Sequence, residues 1–216
     1  MIRACIFDLD GVIVDTAHYH YLAWKRLAGE LGHNLTLEEN ERLKGVSRRQ
    51  SMDIVLELAK ASLTEDEVQL LTDRKNRWFN EYVDQMTPDE VFPGVLELLR
   101  KIRESGMYTG LASSSRNAQT VLLQLGISSL FDAIVDGTMI RNTKPDPEIF
   151  LLTARALLVD PSVCVVIEDA EAGVEAALSA GMKCIGVGST RQLGRANRVV
   201  EKTADISLSM IQELKQ

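Results

Sequence analysis

The segment Asp8-Leu9-Asp10-Gly11 places two carboxylates one residue apart, directly after the apolar run Ala4-Cys5-Ile6-Phe7. Carboxylates that close ionise cheaply only when a cation shares them. A turn built from Asp and Gly would account for the segment taken alone. A second pair, Glu168-Asp169, follows another apolar run, Val163-Cys164-Val165-Val166-Ile167. If the two runs are neighbouring strands, four carboxylates converge at one point, and a fold would not tolerate that cluster without a counter-ion. Oxygen ligands of this kind, with positions left for water and phosphate, describe a Mg2+ site formed by Asp8, Asp10, Glu168 and Asp169.

Two further segments suit phosphate. Ser113-Ser114-Ser115-Arg116-Asn117 follows the run Tyr108-Thr109-Gly110-Leu111-Ala112 and precedes a helical pattern. Hydroxyls and backbone N–H groups at a helix start cradle anions, although Ser-rich turns also simply cap helices. Lys144, in Thr143-Lys144-Pro145-Asp146, adds a cation that would balance four carboxylates and a phosphate. A carboxylate nucleophile, Mg2+, a hydroxyl and a lysine are the parts of phosphoryl transfer through an aspartyl-phosphate. Asp8 would attack phosphorus, while Asp10 would protonate a leaving oxygen or deprotonate an incoming hydroxyl.

These groups need a scaffold that gathers strand ends. The runs at 4–7, 108–112, 133–135, 163–167 and 184–187 are apolar on both faces, as parallel strands covered by helices require. Helical patterns alternate with them, predicting right-handed βαβ units in an α/β fold. In such sheets ligands bind beyond the carboxyl ends of the strands. Pro93 opens one helix, Gly106 closes it, and Asp146-Pro147 starts another. About a hundred residues separate the first two strands, far more than the dozen or so that a crossover needs. From 16 to 87 this insert reads as helical. His20, Trp24, Leu27 and Leu31 share one helix face, and Leu71, Lys75, Trp78 and Tyr82 share another. Thr36 with Glu39, Ser47 with Gln50 and Thr64 with Glu67 have capping-box spacing. The expected organisation is a catalytic core at 1–15 and 88–216, with a helical cap domain at 16–87.

The composition sets the outer bounds. With 31 acidic and 24 basic residues among 216, the net charge of −7 disfavours a nucleic-acid partner. No apolar run reaches the ~20 residues of a membrane span, and the N-terminus lacks the features of a secretory signal. A cytoplasmic monomer is expected. Cys5, Cys164 and Cys184 lie in apolar stretches without metal-ligand spacing and read as buried thiols.

Asp8-x-Asp10-Gly11, the serine after the second strand, Lys144 and Glu168-Asp169 together resemble the four signature motifs of the haloacid dehalogenase superfamily. The likeness covers the whole chain in order and spacing. It implies a Rossmann-like parallel sheet of strand order 5-4-1-2-3, with Asp8 as nucleophile, Asp10 as general acid/base, Glu168 and Asp169 on the metal, and Ser113 and Lys144 holding the transferring phosphoryl group. Within the superfamily, Leu43-Lys44-Gly45-Val46-Ser47-Arg48 with Ser51 resembles the specificity loop of its sugar-phosphate mutases. Asp15-Thr16-Ala17 with His20 and Trp24, Arg74-Lys75-Asn76, and Ser114 to Asn117 are similar to them too.

The resemblance implies conversion of β-D-glucose 1-phosphate to glucose 6-phosphate through the 1,6-bisphosphate. It assigns Trp24, Lys44, Gly45, Val46, Arg48, Ser51, Lys75, Ser114, Ser115, Arg116 and Asn117 to the phosphorylated hexose, with Arg48, Ser115, Arg116 and Asn117 on the second phosphate. Thr16 and His20 would couple cap closure to Asp10. A hydrolytic phosphatase with the same core is the alternative. A non-catalytic phosphosugar-binding module would have no use for the nucleophile, and dehalogenation no use for the Mg2+ ligands.

Overall fold

In the computed structural model, which describes residues 1–43 and 46–214, the first apolar run forms strand β1, Ala4–Phe7, with every residue buried. The chain then enters four helices: α1, Ala17–Glu30; α2, Leu37–Asn40; α3, Arg48–Ala59; and α4, Glu65–Val83. It returns through α5, Val95–Glu104, to β2, Tyr108–Ala112. Helix α6, Ala118–Gln124, leads to β3, Ala133–Val135, and α7, Glu148–Ala156, to β4, Cys164–Glu168. Helix α8, Glu171–Ser179, precedes β5, Lys183–Val187. A short α9, Thr190–Leu193, β6, Arg198–Val200, and α10, Leu208–Glu213, complete the chain.

The contacts divide into two compact units, Met1–Asp15 with Thr87–Gln216, and Thr16–Met86. The first is built on a six-stranded, wholly parallel sheet of order β3-β2-β1-β4-β5-β6. Phe7 pairs with Leu111 on one side and Ile167 on the other, so the residues after β1, β2 and β4 emerge together. The five strands read from sequence have the expected order, and β6 extends the sheet beyond β5. Its three residues carry no apolar run, so nothing in the sequence pattern announces it. Asn197, just before β6, docks it instead: its N–H donates to Cys184 O at 2.9 Å, and its Oδ1 accepts from Cys184 N at 2.8 Å.

Helices cover both faces because the strands are apolar on both. Helix α7 lies so close to β2 that a Cβ on Gly110 would come within 2.7 Å of Thr153 Cγ2. Gly110→Val would therefore force the two apart. Gly106, at φ +79°, stops α5 in a conformation that an L side chain resists. The three cysteines are buried and free, and burial pushes the Cys164 and Cys184 thiols up to about 12.

In the helical unit all three capping boxes form, at Thr36/Glu39, Ser47/Gln50 and Thr64/Glu67, fixing the starts of α2, α3 and α4. Trp24, Leu27, Trp78 and Phe79 are buried. At roughly 2 kcal/mol for each large apolar side chain removed from water, this packing rather than helix propensity holds the bundle. Among the described residues, no helix is long and apolar enough to cross a membrane.

Candidate active site

Asp8 leaves β1 with its N–H bonded to Ile167 O at 2.9 Å, which keeps it in line with β4. Lys144 Nζ donates to Asp8 Oδ1 at 2.5 Å, to Glu168 Oε1 at 2.6 Å and to Ala112 O at 3.3 Å. One ammonium thus ties together the C-terminal ends of β1, β2 and β4. Glu168 is 1 % exposed and spends its other oxygen, Oε2, on Ala170 N at 2.7 Å. Carboxylate oxygens of Asp8, Glu168 and Asp169 lie within 4.8 Å of one another.

Two glycines make room for this convergence. A Cβ on Gly173 would fall inside the Glu168 carboxylate, and one on Gly11 inside that of Asp169. Gly11 also holds φ +72°. Gly11 belongs to the motif read from sequence. Gly173 was missed, since a glycine early in a helix carries no signal of what it faces.

Electrostatics follow from the crowding. Burial raises the Asp8 carboxyl well above the usual range, Lys144 pulls it back, and the charges of Glu168 and Asp10 push it further up. Desolvation, then Glu168, raises Asp169 to about 7. Burial would lower Lys144, but Asp8 and Glu168 outweigh it and hold the ammonium above its ordinary range. One cation therefore faces more negative charge than it can neutralise, and the donors are hard carboxylate oxygens. This donor set fits Mg2+. The Asp10 side chain stands outside the group of three converging carboxylates, yet acts electrostatically on both Asp8 and Asp169.

The serine turn is ordered by its own hydroxyls. Ser113 is buried, its N–H bonded to Val135 O at 3.1 Å and its Oγ accepting from Ser115 N at 3.1 Å. Ser115 Oγ accepts from Asn117 N at 3.2 Å, and Ser115 O from Gly137 N at 3.1 Å. Ser114 and Arg116 are exposed.

The helical unit gathers a second set. Lys75, only 2 % exposed, lies 2.8 Å from His20 Nδ1, with its Nζ 4.6 Å from the centroid of the Trp24 ring. His20 stacks on Phe79 with centroids 4.0 Å apart. Burial, then Lys75 and Arg48, holds His20 well below its usual value, while burial and Arg48 lower Lys75. The Lys75 and His20 nitrogens share one close polar contact, and both groups are held below their ordinary values. Arg48 Nη2 donates to Asn76 Oδ1 at 2.8 Å.

Thr16 precedes α1, and its carbonyl accepts from His20 N at 3.1 Å. Ser51 is buried, with its hydroxyl on Ser47 O at 3.2 Å and Leu43 O at 3.4 Å. It braces the segment leading into α3. Val46 is exposed, while Lys44 and Gly45 lie outside the described residues.

A family model described as haloacid dehalogenase-like hydrolase matches residues 2–181. Beta-phosphoglucomutase of Bacillus subtilis is 45% identical over 213 residues, covering 98% of this chain and 94% of that protein. A phosphorylated carbohydrates phosphatase of Thermotoga maritima is 37% identical over 85% of this chain and 83% of its own length. Among solved structures, beta-phosphoglucomutase from Clostridium difficile superposes with a TM-score of 0.91 at 44% identity, over 99% of this chain and 96% of that one.

Proposed function

The chain belongs to the haloacid dehalogenase-like hydrolase family, and from that membership we propose that it is a β-phosphoglucomutase. It interconverts β-D-glucose 1-phosphate and glucose 6-phosphate through the 1,6-bisphosphate. The observation that carries the chemistry is the seat of Asp8, a buried carboxylate with Lys144 on one oxygen and further carboxylates around it. Near-full-length likeness to a mutase supports that outcome over simple hydrolysis.

In this reading Asp8 attacks the phosphorus of the bisphosphate, forming the Asp8 O–P bond as the sugar O–P bond breaks. Asp10 gives its proton to the departing sugar oxygen. In the other half-reaction Asp10 takes the proton of the 6-hydroxyl of an incoming β-D-glucose 1-phosphate, and that oxygen takes the phosphoryl group from Asp8 to restore the bisphosphate. Lys144 and Ser113 hold the phosphoryl oxygens. Asp8, Glu168 and Asp169, with Asp10 beside them, would hold Mg2+, which supplies positive charge against the charge developing on the transferring group.

The helical unit serves as the cap. Arg48 grips the sugar's second phosphate together with Ser115, Arg116 and Asn117, while Trp24, Val46, Ser51, Lys75 and Ser114 belong to the surroundings of the hexose. Thr16 and His20 report occupancy to Asp10. Binding energy at the remote phosphate would be spent on orienting the reacting end and excluding water.

The test is product analysis of β-glucose 1-phosphate with Mg2+ and a trace of the bisphosphate. Glucose 6-phosphate as the main product supports the mutase. Glucose and free phosphate in equal amounts would make the protein a phosphatase.

A further inference from the structure

Asp10 lies on a tight turn rather than on a strand, so its reach depends on what anchors that turn. Gly11 N donates to Val14 O at 2.9 Å, and the N–H groups of Ile13 and Val14 return to Leu9 O at 2.9 and 3.2 Å. These bonds close the turn on itself. Two more tie it to distant chain. Phe92 N donates to Ile13 O at 2.8 Å, and the Thr203 hydroxyl donates to Val12 O at 2.7 Å.

Of these anchors, Thr203 alone acts through a side chain, and it reaches across 191 positions of sequence. Thr203 is 2 % exposed and opens the short 3-10 turn Thr203–Asp205. The next residue packs against the other anchoring segment: a Cβ on Gly94 would stand 2.8 Å from Ala204 Cα. The turn carrying Asp10 is thus braced by two segments that also brace each other. A buried hydroxyl in such a place must have a partner, and a carbonyl that loses its donor there is left unpaired.

We propose that Thr203 is a positioning residue that sets the direction of the Asp10 carboxyl for proton transfer. The proposal rests on the reading of Asp10 as the general acid/base. A general acid must come within about 2.6–3.2 Å of the oxygen it protonates, and a misplacement near 1 Å can cost as much as ~100-fold. Val12 is two residues from Asp10, and Gly11 between them holds φ +72° where a Cβ would overlap the Asp169 carboxylate. Release of Val12 O therefore transmits to Asp10.

Leaving-group dependence tests this in the full-length protein. Phosphorylation of Asp8 by the glucose bisphosphate expels a sugar alkoxide that needs a proton, whereas acetyl phosphate expels acetate, which does not. Thr203→Val should raise the ratio of acetyl phosphate rate to bisphosphate rate by about 10- to 100-fold, with KM for the bisphosphate little moved. Thr203→Ser, which keeps the donor, should return the ratio to within about threefold of wild type. Thr203→Ala, run in parallel, answers the question if the valine variant does not fold. Asp10→Asn is the reference and should raise the same ratio further. An unchanged ratio in the Thr203 variants, with a raised one in Asp10→Asn, overturns the inference and leaves the Asp10 reading standing. An unchanged ratio in Asp10→Asn removes that reading and the inference with it.

Discussion

The two units bury charge of opposite sign. In the sheet unit, Asp8, Glu168 and Asp169 lie together beside Lys144, and burial, then neighbouring negative charge, raises the Asp8 and Asp169 carboxyls. In the helical unit the charges acting on buried His20 are both positive, Lys75 and Arg48, and the bases are driven down. Neither arrangement is what stability alone would select, because buried charges are costly unless matched. One unit has need of a cation and the other of an anion. In the proposed function a metal ion would answer the first need and a substrate phosphate the second.

The difference can be attacked from either side, and the largest effect is expected in the sheet unit. Asp8→Asn should keep the fold and lose turnover altogether, because a carboxamide is a poor nucleophile. Residual activity near wild type would remove Asp8 from the chemistry. Asp10→Asn should slow both half-reactions by roughly 10²–10⁴ while Mg2+ affinity, followed by titration, falls much less than in Asp169→Asn. Equal loss of metal binding in the two variants would merge two roles that the proposed function keeps apart.

The helical unit comes next. Arg48→Ala should cost mutase turnover roughly 10²–10³ through lost orientation at the remote phosphate, and the ratio of free phosphate to glucose 6-phosphate should rise. A flat ratio would reduce Arg48 to a surface cation. Gly173→Ala should be milder and structural: a methyl forced against Glu168 should lower stability by about 1–3 kcal/mol, visible as a fall in Tm. An unshifted Tm would show that Glu168 has room to spare.

The smallest effect concerns pH. Unfolded His20 takes up a proton near 6.5, whereas in the folded helical unit its pKa lies well below that. Below about pH 6.5 the unfolded state therefore binds more protons, so acidification costs stability, by up to ~1.4 kcal/mol per pH unit. Amide protection in α1 and α4, taken relative to the intrinsic exchange rate at each pH, should fall between pH 7 and 5, and His20→Gln should flatten that response. Protection in those helices that ignores pH would mean that His20 is not held neutral.

How much of this could be read from sequence depended on whether a signal was local. The inner strands were legible because each is a short apolar run, and the carboxylates because each pair directly follows one. Capping boxes need only a spacing of three residues, and all three formed. Strand β6 escaped because its docking rests on Asn197, a single side chain outside any pattern. Gly173 and Thr203 escaped because what they touch, Glu168 and Val12 O, is set by tertiary packing. Lys144 stood out as a cation near a helix start, but its simultaneous grip on Asp8, Glu168 and Ala112 O is a property of three strand ends meeting.

The central claim is that the phosphoryl group rests covalently on Asp8 between its two positions on the sugar. Intact-mass and peptide-mass analysis after brief exposure to the glucose bisphosphate with Mg2+ tests it most directly. One phosphoryl group should appear on the N-terminal peptide carrying Asp8. When β-glucose 1-phosphate is added that group should pass to the sugar as the bisphosphate, with Asp8 phosphorylated afresh as glucose 6-phosphate forms, and Asp8→Asn should acquire none. A wild-type protein that turns over while no phosphoryl group ever appears on that peptide, or one labelled equally in Asp8→Asn, would contradict the account.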